Sequence, residues 1–216
     1  MALKQKVKIV EVGLRDGLQN ESTTLSIDQR FQLLKKLLDA GIRNLEIGAY
    51  VSPKWVPQMA GTEQLVKKYH QSVSALQQKK INASVLVPND EGMHKAIETG
   101  IKEIAVFISS TETFSQKNIN CSIAESLMRV KSVMTLAKKN KIKVRGYLSV
   151  CFGCPYEGKV SEAKVVELAQ KLYKMGCYEV SIGDTIGIAN PIQVERLFKK
   201  LKKVIQQRPD LLEALK

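Results

Sequence analysis

Arg15 and Asp16 stand side by side just past an apolar run, Val7 to Val12, from which Gly13 and Leu14 separate them, and directly before Gly17. If that run is a buried strand, the pair sits at its C-terminal mouth, and Gly17 can take a turn conformation closed to other residues. A cation and an anion at a strand end are placed to act on a bound polar group. The open alternative is a structural ion pair that closes a βα loop. Glu46, Tyr147 and Asp184 also stand at or near the ends of apolar runs. Cys151-Phe-Gly-Cys154 has redox or metal spacing, but no second such pair accompanies it and no role is expected of it.

The elements that must position these groups alternate along the chain. Strands are expected over Val7–Leu14, Asn44–Tyr50, Asn82–Val87, Glu103–Ser109, Lys143–Val150 and Glu179–Asp184, each nearly continuous in Val, Ile and other apolar residues. Helices start between them at Ser26-Ile-Asp-Gln29 and Ser122-Ile-Ala-Glu125, which fit the capping box, and at Asn190-Pro191. Gly41, Gly100 and Gly176 each follow a helix and precede a strand, the usual C-terminal cap. Such alternation implies a parallel sheet with crossover helices. No Gly-x-Gly-x-x-Gly or Walker-type loop follows any strand, and the charged residues lie at the ends of several strands. A (β/α)8 barrel of the TIM type, which gathers strand ends at one mouth, is therefore favoured over an open doubly wound sheet. The barrel is expected to be incomplete, with about six of the eight βα units.

A chain of 216 residues with 44% hydrophobic content suits one domain over residues 1–216. The net charge of +13 is mostly lysine. Over Asn190–Gln207, Val194, Leu197, Phe198, Leu201, Val204 and Ile205 recur at helical spacing, which puts Lys199, Lys200, Lys202 and Lys203 on a solvated face. No glycine- or aromatic-interleaved basic pattern accompanies them, so nucleic-acid binding is not expected. No run reaches membrane-spanning length and residues 1–10 lack a leader core, so a cytoplasmic protein without membrane contact is expected.

Lys8-Ile-Val-Glu-Val-Gly-Leu-Arg-Asp-Gly-Leu-Gln-Asn-Glu21 resembles the signature of the 3-hydroxy-3-methylglutaryl-CoA lyases, within the metal-dependent barrel lyases and acyltransferases. Val51-Ser-Pro-Lys-Trp-Val-Pro-Gln-Met59, Lys117-Asn-Ile-Asn-Cys-Ser122, Val144-Arg-Gly-Tyr147, Gly153-Cys-Pro-Tyr-Glu-Gly158 and Gly176-Cys-Tyr-Glu-Val-Ser-Ile-Gly-Asp-Thr-Ile-Gly187 resemble it too, in the same order. The resemblance implies cleavage of an acyl-CoA substrate to acetyl-CoA and acetoacetate with a divalent cation, Mg2+ or Mn2+. It implies Asp16 as a metal ligand and Arg15 facing the thioester carbonyl. Glu46 is implied as an orienter of Arg15 or a group behind the metal, with Asp184 and Tyr147 at the same mouth. Gln19 is counted among the substrate-binding candidates, and Asn118 either contacts the CoA tail or caps the loop before Ser122, the cap being preferred. For Glu46 and Asp184 the alternative is a buried ionic network, and for Tyr147 a core aromatic.

The family's further ligands come from a His-x-His strand and a later Asn, with a cysteine in a Gly-rich loop. The two histidines here, His70 and His94, are expected on helix surfaces, and Cys151, Cys154 and Cys177 do not match that loop. The chain is therefore expected to stop before the seventh strand, to hold the cation weakly, and to turn over little substrate alone. Its open edges call for a second chain completing the barrel or for identical copies covering each other. The competing readings are a related enzyme condensing acetyl-CoA with a 2-oxo acid, against which Trp55 and the Gly153–Gly158 motif speak, and a non-catalytic partner subunit.

Overall fold

The computed structural model describes residues 7–206, so both ends of the expected 1–216 domain, and Gln207 of the last helix, lie outside the described residues. Two compact units are present. The residues up to Val87, with His94–Glu103, form one; Pro88–Met93 and the residues from Ile104 onward form the other.

In the first unit the expected strand Val7–Leu14 does not form. Val7 is 87% and Ile9 67% exposed, so the apolar run is not buried on both faces. Only Glu11 pairs, in a single parallel bridge with Leu45. Its N–H donates to the Asn44 carbonyl at 2.9 Å and its carbonyl accepts from Glu46 N–H at 2.8 Å. The chain then leaves the extended course for a π-helical turn, Gly13–Gly17. Helix α1 (Ile27–Asp39) begins with the expected capping box, in which Gln29 N–H donates to Ser26 Oγ at 3.2 Å and Ser26 N–H to Gln29 Oε1 at 2.8 Å. Strand β1 (Asn44–Ala49) follows, then α2 (Thr62–Ser72), the short α3 (Ala75–Gln78) and β2 (Asn82–Leu86). β1 and β2 are parallel, with their register broken between Glu46 and Gly48. Leu34, Leu45, Ile47 and Leu65 are fully buried in this unit's core. Helix α4 (Asp90–Thr99) comes next, and Thr99 meets the Tyr50 hydroxyl at 2.6 Å.

Strand β3 (Glu103–Ser109) lies almost wholly in the second unit, followed by α5 (Glu112–Ile119), α6 (Ile123–Lys139), β4 (Lys143–Ser149), α7 (Glu162–Met175), β5 (Glu179–Ile182) and α8 (Pro191–Gln206). β4 and β5 are parallel, pairing Arg145 with Glu179 through Leu148 with Ile182. Among the described residues there are thus five strands, one fewer than expected, and several end a residue or two early. β4 stops because Val150 turns into the left-handed region at φ +54°, its N–H donating to Thr185 Oγ1 at 2.8 Å. The glycine helix ends are as expected, with φ of +90° at Gly41, +73° at Gly100 and +107° at Gly176.

α8 carries its apolar stripe as expected, but only part of it is covered. Leu197 and Leu201 are buried while Ile192, Val194 and Phe198 are exposed, with the lysines outward. Among the described residues no helix is long and apolar enough to cross a membrane.

The capping box of α6 closes reciprocally, Glu125 N–H on Ser122 Oγ at 3.1 Å and Ser122 N–H on Glu125 Oε2 at 2.7 Å. Ser122→Ala is expected to lower stability by about 1 kcal/mol in urea unfolding, since it strands an N-terminal amide.

Candidate active site

The first unit builds its charged site from a turn and a strand. Three successive amides, of Arg15, Asp16 and Gly17, donate to the single Val12 carbonyl at 3.0, 2.7 and 3.4 Å. A π-turn of this kind places consecutive side chains where a regular helix would not, and such turns recur at functional sites. The turn depends on two residues that inspection of the charged pair alone overlooks. Glu11 Oε1 accepts the Gly13 N–H at 2.6 Å, and a Cβ on Gly13 would stand 2.7 Å from that oxygen. The signal was the Glu-x-Gly spacing at Glu11 and Gly13. Gly17 can take a turn conformation closed to other residues but does not use one, since it stays outside the positive-φ region.

The turn brings Arg15 against β1. Arg15 Nε donates to Glu46 Oε1, and Arg15 Nη1 to Asp16 Oδ1 at 2.5 Å. The Glu46 side chain is 0% and that of Arg15 12% exposed, whereas Asp16 is 58% exposed. One guanidinium thus links a buried carboxylate to an accessible one. Removing either Arg15 or Glu46 would leave an uncompensated ion in a dry site. The arrangement can present a fixed cation to a developing anion, beside a carboxylate open to a hard cation. Gln19 is half-buried one turn further on, and no hydrogen bond joins it to Arg15 or Asp16 among the described residues.

In the second unit Tyr147 is half-buried on β4, its ring 5.9 Å from the Arg145 guanidinium, which pairs with Glu179 on β5. Asp184 is exposed in the turn after β5. Its two oxygens accept Ile188 N–H at 3.1 Å and Ala189 N–H at 2.9 Å, so it orders that loop and is no member of a buried ionic network. Asn118 does not cap the loop before Ser122. It is exposed in the last turn of α5, and Asn120 (φ +48°) turns the chain there.

The cysteines are free, buried thiols. Cys151 donates to the Leu148 carbonyl at 3.0 Å, and Cys154 accepts from Thr111 Oγ1 at 3.2 Å. Burial pushes Cys151 and Cys177 up to about 12 and raises Cys121 as well. His94 is exposed, as expected. His70 is not a surface residue but half-buried, with Nδ1 3.2 Å from Gln78 Oε1. Among the described residues no group of three His, Cys, Asp or Glu side chains gathers to hold a metal. Asp16, exposed beside Arg15, has the oxygen chemistry for Mg2+ or Mn2+.

Comparison with known proteins places this geometry. The chain is 49% identical to the mitochondrial hydroxymethylglutaryl-CoA lyase of Rattus norvegicus over 189 residues, 88% of this chain and 56% of that protein. It superposes on the crystal structure of hydroxymethylglutaryl-CoA lyase from Pseudomonas aeruginosa with a TM-score of 0.87 at 43% identity, covering 94% of this chain and 66% of that one. An HMG-CoA lyase from Acinetobacter baumannii, solved with coenzyme A and 3-methylmalate, matches with a TM-score of 0.83 at 30% identity, over 90% of this chain and 62% of that one. The fold is that of an α/β protein of the TIM-barrel class with an incomplete barrel, and Glu46 lies within β1 (Asn44–Ala49), not at a strand end as expected. Residues 6–212 match the family described as HMGL-like, and the chain belongs to that family. It spans little more than half the length of the rat relative. Because that relative is mitochondrial, family membership does not carry the cytoplasmic location expected from the sequence.

At pH 8, with thiols titrating near 12, the thiolate fraction of Cys151 and Cys177 is on the order of one in ten thousand. Iodoacetamide is expected to leave both unmodified in the native protein and to label them fully in denaturant, as read by peptide mass mapping.

Proposed function

We propose that this chain carries the Arg–Asp part of a hydroxymethylglutaryl-CoA lyase site, and that the protein cleaves 3-hydroxy-3-methylglutaryl-CoA to acetyl-CoA and acetoacetate. The observation that supports this reading is Arg15 fixed by buried Glu46 beside exposed Asp16, within a chain of the HMGL-like family. In the cleavage the C3 hydroxyl loses its proton to a base, the C3 oxygen becomes the ketone of acetoacetate, and the electrons of the broken carbon–carbon bond pass to the thioester. The enolate formed there takes up a proton to give acetyl-CoA.

Arg15 is proposed to meet the thioester oxygen on which that negative charge develops. Glu46 keeps the guanidinium aimed, so that little reorganisation is left for the reaction step. Asp16 would hold the divalent cation, which when bound supplies a Lewis acid for the substrate's hydroxyl and carboxylate oxygens. One accessible carboxylate makes that hold weak, since Mg2+ draws on one or two carboxylates together with substrate oxygens. Gln19 of the first unit is proposed as a substrate contact; within the second unit Asn118 and Tyr147 are proposed as substrate-binding residues and Asp184 as the residue that orders the loop after β5. The condensing-enzyme alternative is not favoured, because the relatives described above are lyases.

The test joins this chain to the portion of the Pseudomonas aeruginosa lyase that lies beyond the matched region and follows acetoacetate in Mg2+. The joined protein is expected to cleave. Arg15→Met in the joined protein is expected to lose about 100- to 1,000-fold in kcat. A folded joined protein that releases no acetyl-CoA, or an undiminished Arg15→Met, overturns the proposal.

A further inference from the structure

Arg30 on α1 is fully buried, and no carboxylate pairs with it among the described residues. Its Nη1 donates to the Ala60 carbonyl at 2.9 Å and its Nη2 to Thr62 Oγ1 at 3.3 Å, while its Nε has no partner among the described residues. Burial lowers its pKa from the ordinary value. Buried cations without anions are costly, so the place where this one stands needs a reason.

That place is the back of Gly48. A Cβ there would lie 2.7 Å from Thr62 Oγ1 and 3.0 Å from Arg30 Nη2, so only glycine lets both groups press onto the strand. Thr62 is tied in turn, its hydroxyl donating to the Met59 carbonyl at 2.8 Å. Gly48 is also where the register of β1 slips. Glu46 pairs with Ser84 and Gly48 with Val85, which leaves Ile47 as an extra residue between them. In an unbroken strand residues 46 and 48 point to one face. The extra residue is what allows Glu46 to meet Arg15 while Gly48 meets Thr62 and Arg30. Bulges of this kind re-aim side chains beside active sites.

We propose that Arg30 is a positioning residue: with Thr62 it locks the bulge of β1 at Gly48 and so keeps Glu46 on Arg15. The hydrogen-bond partners of Arg30 among the described residues are Ala60 and Thr62, so it acts on Arg15 and Glu46 through the backbone between them. The inference rests on the reading of Arg15 and Glu46 as the working pair. Its test reads the pair itself and uses no substrate, so failure of the lyase reading and failure of this one are separable.

The experiment follows the arginine Nε–Hε signals of the whole 15N-labelled chain, with Arg15 assigned by its disappearance in Arg15→Lys. Thr62→Val keeps volume and removes the hydroxyl; Thr62→Ser restores it; Gly48→Ala pushes both groups off the strand. In Thr62→Val and Gly48→Ala the Arg15 Hε signal is expected to shift and to exchange with water on the order of tenfold faster. The Thr62→Ser protein is expected to match the parent. Arg30→Lys keeps the charge but not the two-way fork, and is expected to behave as Thr62→Val does. An Arg15 signal that is unchanged in folded Thr62→Val and Gly48→Ala overturns the proposal, as does a Thr62→Ser protein as disturbed as Thr62→Val.

Discussion

The ion pair between Arg15 and Glu46 is the constraint on which the first unit's site depends. A carboxylate with no exposure sits in the core on β1, and the cation that neutralises it comes from a turn joined to that strand through a single bridge. Taking both charges out of water costs several kcal/mol per ion, and the attraction in a dry site offsets this only when geometry is held closely. The surrounding structure supplies that geometry. Glu11 both pairs with β1 through its backbone and, through its carboxylate, fixes the Gly13 amide that opens the turn. A short piece of chain thereby delivers Arg15 to one oxygen and leaves Asp16 outside.

The division of labour follows from exposure. Glu46 is buried on Arg15, whereas more than half of the Asp16 side chain is open to water. Two carboxylates on one guanidinium therefore differ in setting, one holding the cation of the protein in the core and the other facing water. The second unit has its own version of loop control. Asp184 binds two backbone amides, and Thr185 supports the left-handed Val150 at the end of β4. A buried β-branched residue with positive φ persists only where its surroundings over-determine it.

Much of this was legible in the order of residues. The capping boxes at Ser26 and Ser122 and the glycine ends at Gly41, Gly100 and Gly176 are local devices, and local chemistry decides them. The buried strands from β1 to β5 read as apolar runs for the same reason. Val7–Leu14 reads identically but forms only a bridge, because strand formation depends on partners that an apolar run does not specify. The family resemblance offered Glu46 either as an orienter of Arg15 or as a group behind the metal; composition and spacing carry no sign of which carboxylate, 31 residues away, meets the arginine. Asn118 failed as a cap because Asn120 was the residue in the left-handed position, a distinction of two residues that propensity does not make. The β1 bulge left no mark on the apolar pattern, since Ile47 is as apolar as a regular strand residue would be.

The most direct measurement of the central claim is a double-mutant cycle of Arg15→Met and Glu46→Gln, read by urea unfolding of the chain. The ion pair described here predicts that each single change destabilises by about 3–5 kcal/mol, and that the double change costs no more than the worse single one. Costs that simply add, with no coupling between the two positions, would contradict it.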